Sequence, residues 1–401
     1  MEHHSKAIDT ENKYCAHNYA PLPVVLSRGD GVWLYDENGT KYLDMMSAYS
    51  AVSHGHGHPR LLGALKHQAE KLCIASRAYY TDTLPPFLEK LCGFSGMDMA
   101  LPMNTGAEAV ETAIKAARLW GYQKKNIPEN KAEIIVASNN FHGRTTTIVS
   151  FSSDEEYKKG FGPFTPGFKE VPHGDAEALE AAITKNTCAF LVEPMQGEAG
   201  IIIPPNGWLN KVQAICKKHN ILLILDEIQC GLGRTGKDFA FQHEIDKPDG
   251  LILGKALGGG MMPVSCFLAK KEVMELFHPG SHGSTFGGNP LASAIGLEAL
   301  KVIEDEKLTE NSATLGEWFK QELSKIKAKC VTEVRGKGLW IGLEIDPNII
   351  SAREICLRLM KEGILSKETH HTVVRFAPPL VITKMQLEDA LDKIRKVLTS
   401  V

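Results

Sequence analysis

The residues best placed to do chemistry in this chain are an acid and a lysine, each just beyond an apolar run. Ile221-Leu222-Leu223-Ile224-Leu225 is followed at once by Asp226 and Glu227. Leu251-Ile252-Leu253 is followed by Gly254 and Lys255, ahead of Gly258-Gly259-Gly260. Short apolar runs of this kind suit buried strands, and in an open α/β sheet ligands bind beyond the carboxyl ends of the strands. A lysine held between a buried strand and a glycine turn is desolvated, which lowers its pKa and enlarges its neutral, nucleophilic fraction. The plainer alternatives are a loop carboxylate or helix cap for Asp226 and a surface amine for Lys255.

The two together suit pyridoxal phosphate, which needs an amine to hold its aldehyde and a carboxylate to keep its ring nitrogen protonated. Its phosphate needs donors. Asn104-Thr105-Gly106 follows the strand-like 99–103 and opens a helix at Glu108, where free N–H groups and the helix dipole favour an anion. An ordinary helix cap would look the same. Ser284 and Thr285, in His282-Gly283-Ser284-Thr285-Phe286-Gly287-Gly288, are a second donor set.

Three other patterns compete. Gly231-Leu232-Gly233-Arg234-Thr235-Gly236 matches G-x-G-x-x-G, and a dinucleotide-dependent oxidoreductase is the reading it offers. Against it, Asp226–Cys230 separate the glycines from the strand, and no long amphipathic helix opens after Gly236. The segment from Gly250 to Lys255 resembles a phosphate-binding loop but is one residue short, and Ala256 stands where Ser or Thr would ligate magnesium. His54, His56 and His58 alternate as metal ligands on a strand would, but Gly55, Gly57 and Pro59 make this a turn; no metal is expected.

The positioning elements follow from periodicity. A hairpin is expected over 32–43, around Glu37-Asn38-Gly39. Helices are expected at 59–71, 108–122, 176–184, 208–219 and 271–276, and strands at 133–137, 188–193, 221–226, 250–253 and 265–269. Strands at this spacing, separated by helices, imply a parallel sheet covered on both faces. The last third lacks that alternation: helices at 291–304, 312–328, 352–362 and 384–398, strands at 331–334, 339–345 and 373–376. The expected division is 1–49 as the N-terminal part of a small domain, 50–290 as the large domain, and 291–401 as the rest of the small domain.

Composition excludes several classes. The chain has 401 residues, 43% hydrophobic and 23% charged, with net charge −3, so it has no basic field for a nucleic acid or an anionic membrane. No apolar run approaches the ~20 residues of a membrane span. Nine cysteines with wide spacing and no Cys-x-x-Cys read as reduced thiols. The first thirteen residues are polar and resemble neither a secretory signal nor a transit peptide, so a cytoplasmic location is expected.

Asp226-Glu227-Ile228-Gln229, the glycine run to Gly236, Pro248-Asp249 and Gly254-Lys255-Ala256-Leu257-Gly258-Gly259-Gly260 together resemble the signature of the class III (subgroup II) pyridoxal-phosphate aminotransferases. The likeness runs from Tyr19 to the final helix. His17–Pro23, Ser47–Val52, Asn104–Glu108 and Arg375–Leu380 are most similar to ornithine-type members. The resemblance implies a fold-type I α/β transferase, with a mainly parallel large domain and a smaller α+β domain from both termini, acting as a homodimer or higher homo-oligomer.

It also implies roles. Lys255 would hold the cofactor and shuttle a proton, Asp226 would pair with the ring nitrogen, Phe141 would stack on the ring and Gln229 would bond the ring hydroxyl. Thr105, Gly106 and Ala107 would hold the phosphate, with Ser284 and Thr285 reaching in from a neighbouring subunit. Tyr19 and Arg144 would hold the ornithine carboxylate and Tyr49 its α-amine. Arg375 would bind the α-carboxylate of glutamate and 2-oxoglutarate, with Glu198 as its two-point ionic partner. His142 departs from some ornithine-type members, which carry Trp there. That position keeps N-acetylornithine as an alternative substrate, and 4-aminobutyrate is a further alternative within the same class.

Overall fold

The computed structural model describes residues 6–401. Its centre is a seven-stranded sheet in the order Met99–Met103, Ser265–Ala269, Gly250–Leu253, Leu222–Asp226, Thr187–Val192, Glu133–Ala137, Phe168–Val171. From Gly250–Leu253 outward to Phe168–Val171 all pairings are parallel. Ser265–Ala269 is the exception and runs antiparallel to both neighbours. The segment after Leu253 makes only a 3₁₀ turn, Lys255–Gly258, and a glycine reversal before Ser265. A parallel return needs a crossover of a dozen or more residues, usually a helix, so this shorter path reverses the strand. The sheet is therefore mainly parallel, as expected, with this one strand reversed.

Apart from Ser265–Ala269 the strands run the same way, so six carboxyl ends share one edge, those at Met103, Asp226 and Leu253 among them. The strands are apolar without alternation because both faces are covered. Helix Gly106–Gln123 lies on one face with Val110, Ile114 and Ala117 inward, and Leu223, Leu225 and Leu251 point into the core on the other. Helix Leu84–Ser95, unexpected from the sequence, begins with prolines, which fit a first helical turn whose N–H groups have no partner anyway. The edge strand Phe168–Val171 was also missed, because Phe-Lys-Glu-Val carries no strong strand signal.

The expected hairpin forms as Trp33–Asp36 and Lys41–Asp44 and is preceded by Leu26–Asp30. Its sheet is completed by a strand from the far end of the chain, Ile364–Leu365, which pairs parallel with Leu43 and Asp44. A second C-terminal sheet, in the order Val331–Gly336, Ile341–Ile345, Val373–Phe376, Lys367–Thr369, is antiparallel throughout. Helices Leu308–Ser324, Ala352–Lys361 and Lys384–Thr399 back it. Gly231–Gly236 is a buried turn against Leu308–Ser324 and opens no long helix, which removes the structural basis of the dinucleotide reading.

The three alternating histidines go to separate partners. His54 Nε2 meets the Ala299 carbonyl at 3.0 Å, His56 meets Asp44 at 2.7 Å, and His58 meets Glu306 at 3.1 Å. Among the described residues no helix is long and apolar enough to cross a membrane. All nine cysteines are unpaired.

Between hairpin and large sheet the backbone turns left-handed over four successive residues, Ser47, Ala48, Tyr49 and Ser50, with φ of 45°, 48°, 59° and 72°. For residues with a Cβ this conformation costs roughly 1–2 kcal/mol each, so the surroundings must impose it. Asp44 contributes: its Oδ1 accepts from the N–H groups of Met46 and Ser47 at 2.9 and 2.7 Å.

Candidate active site

The edge that carries these strand ends opens into a cavity lined by Gly106, Ala107, Phe141, Glu198, Asp226, Gln229 and Lys255, among others. Asp226 is the last residue of its strand and is buried. Its Oδ1 accepts from the Ile228 N–H at 3.0 Å, and its Oδ2 lies 2.7 Å from His142 Nδ1. Burial opposes a charge on the fully enclosed His142, but the hydrogen bond and charge of Asp226, reinforced by Glu193, raise its pKa above the ordinary value. His142 Nε2 has no partner.

Lys255 sits two residues beyond its strand with φ of +45°, a strained angle for a residue with a side chain. It is half-buried, and its amine takes no hydrogen bond or ion pair among the described residues. Burial pulls its pKa down, Arg375 adds to this, and Glu198 and Asp226 oppose it. The strand-plus-glycine pattern thus puts an unpaired amine with a lowered pKa into the same cavity as the Asp226 carboxylate.

At the anion end, Gly106 and Ala107 open the helix and line the cavity. Thr105 is the residue before the helix, and its side chain is engaged in a capping box with Glu108. Ser284 Oγ takes a hydrogen bond from Asn104 Nδ2 at 3.0 Å, but Ser284 and Thr285 lie outside the cavity on the surface of the chain, beside the exposed Phe286. The Phe141 ring lines the cavity, and its N–H donates to Glu193 Oε2 at 3.0 Å.

Arg375 and Glu198 meet at 2.8 Å through one nitrogen and one oxygen, and the same oxygen takes a hydrogen bond from Gln229 Nε2 at 3.1 Å. The two-point fork expected from the resemblance is therefore a one-point contact: Arg375 Nε is buried without a partner. Burial works against the Glu198 charge, yet Arg375 and Lys255 hold its carboxyl below the usual range. Gly197 makes room here, because a Cβ would fall 1.5 Å from Gln229 Oε1. The Arg375 guanidinium lies 5.0 Å from the centre of the Tyr49 ring.

Tyr19 and Arg144 do not line the same cavity. They share a neighbouring one with Asn18 and Tyr157. The Arg144 guanidinium lies 3.9 Å over the Tyr157 ring and 5.5 Å from the Phe141 ring centre, so Phe141 stands between the two cavities. No carboxylate pairs with Arg144 among the described residues. The segment carrying Tyr19 is anchored by Arg353, whose nitrogens donate to the carbonyls of Ala20 and Pro21 at 3.1 and 3.0 Å.

Sequence reasoning overlooked two residues. Tyr157 carries no motif. Glu193 had a usable signal, since it ends an apolar strand just as Asp226 does. It accepts from Phe141 and Gly197 N–H groups, and burial pushes its carboxyl up to about 7.

The family model described as aminotransferase class-III matches residues 14–398. An ornithine aminotransferase of Bacillus subtilis is 57% identical over 391 residues, 98% of this chain and 97% of that protein. An ornithine aminotransferase from Toxoplasma gondii, whose structure shows partial occupancy of PLP at the active site, superposes with a TM-score of 0.97 at 43% identity, covering 98% of this chain and 94% of that one. An acetylornithine aminotransferase from Elizabethkingia anophelis superposes with a TM-score of 0.91 at 51% identity, covering 98% of both chains.

Proposed function

From the premise that the chain belongs to the class-III aminotransferases, we propose that it transfers the δ-amino group of L-ornithine to 2-oxoglutarate. The products are L-glutamate and glutamate 5-semialdehyde, which cyclises to a pyrroline carboxylate.

Pyridoxal phosphate fits the residues present. The cavity offers helix-start N–H groups for a phosphate, an aromatic ring for stacking, a buried carboxylate for a ring nitrogen and an unpaired amine for an aldehyde. Gln229 Oε1, buried without a partner, could accept from the ring hydroxyl. When bound, the cofactor supplies the electron sink that lets an amino group leave one carbon and join another. Gly106 and Ala107, with Thr105, orient the phosphate. Asp226, steadied by His142, would favour a proton at the ring nitrogen. Lys255 would hold the cofactor's aldehyde, and its amine would move a proton to and from the reacting carbon.

The observation that carries the ornithine reading is the contrast between two arginines. Arg375, beside the reacting centre, is neutralised by Glu198, whereas Arg144, farther off, has no acid partner. A substrate presenting its δ-amine needs a carboxylate site remote from the reaction and none adjacent to it. Arg144 with Tyr19 serves the remote carboxylate, and Tyr49 serves the α-amine. Opening of the Arg375–Glu198 pair admits 2-oxoglutarate. The resemblance to an acetylornithine aminotransferase, together with His142, keeps N-acetylornithine as the second reading.

A homodimer completes this proposal. Phe286, beside Ser284 and Thr285 in the chain, is 55% exposed, and Tyr79 and Tyr80 are exposed as well, apolar surface of the kind a second copy would cover. The location that goes with this reading is the cytoplasm. Parallel assays with ornithine, N-acetylornithine and 4-aminobutyrate against 2-oxoglutarate, trapping the cyclic imine with o-aminobenzaldehyde, test the assignment. The highest kcat/KM should belong to ornithine; a higher value for either competitor overturns it.

A further inference from the structure

Arg234 is the largest charged group sealed inside the molecule, with no exposed surface. Burying a guanidinium is costly unless its donors are satisfied, and buried arginines usually face acids. Among the described residues no acid hydrogen-bonds or ion-pairs with this one; Asp44 acts on it only through its charge, and Nε is buried without a partner. Nη1 donates to the carbonyls of Leu339 at 2.9 Å and Pro378 at 2.6 Å, and Nη2 donates to the hydroxyls of Ser47 at 3.2 Å and Ser53 at 3.0 Å.

Those acceptors define what the side chain holds. Ser47 and Ser53 bracket the left-handed turn that carries Tyr49. Pro378 follows the strand that carries Arg375. Ser47 Oγ in turn donates to the Ala377 carbonyl at 2.6 Å, so a single hydroxyl ties the turn to the strand end and takes the Arg234 hydrogen bond. Backbone contacts run alongside: Ala377 N–H to the Met45 carbonyl and Leu380 N–H to the Ser53 carbonyl, both 2.7 Å.

We propose that Arg234 is a positioning residue for substrate selection: through Ser47 and Ser53 it imposes the left-handed turn and fixes Tyr49 relative to Arg375. This rests on the reading that those two residues face the substrate. The strained turn has no glycine to ease it, and among the described residues Arg234 is the one side chain hydrogen-bonded to both its flanks and to the backbone beyond the Arg375 strand. The planar fork of arginine reaches four acceptors in fixed directions; a lysine ammonium, a point donor on a flexible stem, cannot reproduce that geometry.

The test uses the cofactor-loaded enzyme and the variants Ser47→Ala, Arg234→Lys and Ser312→Ala. Ser312 Oγ donates to the Arg234 backbone carbonyl at 2.9 Å and accepts from Leu339 N–H at 3.0 Å. It belongs to the same buried knot without touching the turn. The readouts are the thermal midpoint, the cofactor absorbance, and the spread of kcat/KM across ornithine, N-acetylornithine and 4-aminobutyrate. All three variants should lower the midpoint and keep the cofactor band. Ser47→Ala should compress the spread by roughly three- to tenfold, the scale of one lost hydrogen bond, Arg234→Lys by more, and Ser312→Ala not at all. An unchanged spread in Ser47→Ala overturns the proposal, as does equal compression in Ser312→Ala. If Arg234→Lys does not fold, Ser47→Ala against Ser312→Ala decides. The wild-type order of the three substrates separately tests the ornithine reading.

Discussion

Glu198 Oε1 sits at the meeting point of the Arg375 guanidinium, 2.8 Å away, and the Gln229 amide, 3.1 Å away, so one carboxylate oxygen serves both neighbours. A one-point pair is easier to part than a fork, because only one hydrogen bond to the guanidinium must be exchanged. Glu198→Ala should therefore leave Arg375 open in both half-reactions. The variant should show increased α-amine chemistry on ornithine while the glutamate half-reaction stays near wild type, measured by single-turnover absorbance. Equal damage to both half-reactions would make the pair scaffolding.

Lys255→Ala should remove the visible cofactor band and lower turnover by about 10²–10⁴-fold or more, the scale for losing a proton-transfer group. Borohydride reduction of the wild type followed by peptide mapping should find the cofactor on Lys255. Label on another lysine would contradict the assignment.

Asp226→Asn should fold but lose turnover by orders of magnitude, because a neutral amide does not favour a protonated ring nitrogen. The same change should lower the His142 pKa, which Asp226 helps to raise. Histidine-selective ¹⁵N NMR on wild type and variant checks this. An unmoved His142 titration would show that the 2.7 Å contact carries no charge coupling.

The His54 ring is fully buried, with Nε2 bonded to the Ala299 carbonyl and Nδ1 without an acceptor. Burial depresses its pKa to about 4. The unfolded chain, near 6.5, binds the proton more readily, so this group stabilises the fold above 6.5, and that contribution is lost as pH falls toward 4. The loss is at most about 1.4 kcal/mol per pH unit. His54→Leu should be less stable than wild type at pH 7, and the gap should narrow at pH 5, as measured by thermal midpoints. A gap independent of pH would refute the linkage.

The sheet edge that carries the site was readable because apolar strands ending in a charged residue are unusual. That pattern gave Asp226 and Lys255 without a relative, and applied to Val192–Glu193 it would have given Glu193 as well. The reversal of Ser265–Ala269 was not readable, since direction depends on how the intervening residues cross the sheet. Ser-Ala-Tyr-Ser contains no glycine or asparagine, so nothing local announces a left-handed turn. Arg234 was hidden inside a glycine pattern that reads as an exposed loop. Its role exists only once segments far apart in sequence are brought together. Tyr19 and Arg144 came from resemblance, and their separate cavity could not be inferred from spacing.

The pairing of Leu43 with Ile364 has a consequence for how the chain is made. As the polypeptide leaves the ribosome, the first three strands emerge early, but the strand that completes their sheet emerges only near the end of synthesis. Until then the edge of Lys41–Asp44 offers free N–H and C=O groups to any other extended segment. The central sheet can assemble meanwhile from its own consecutive units, so it should mature first and the N-terminal strands wait beside it. Contacts this distant in sequence slow folding and lengthen exposure to aggregation. Truncation just before Ile364 should therefore trap a protein with a formed central sheet and an unsealed N-terminal edge, prone to self-association during synthesis.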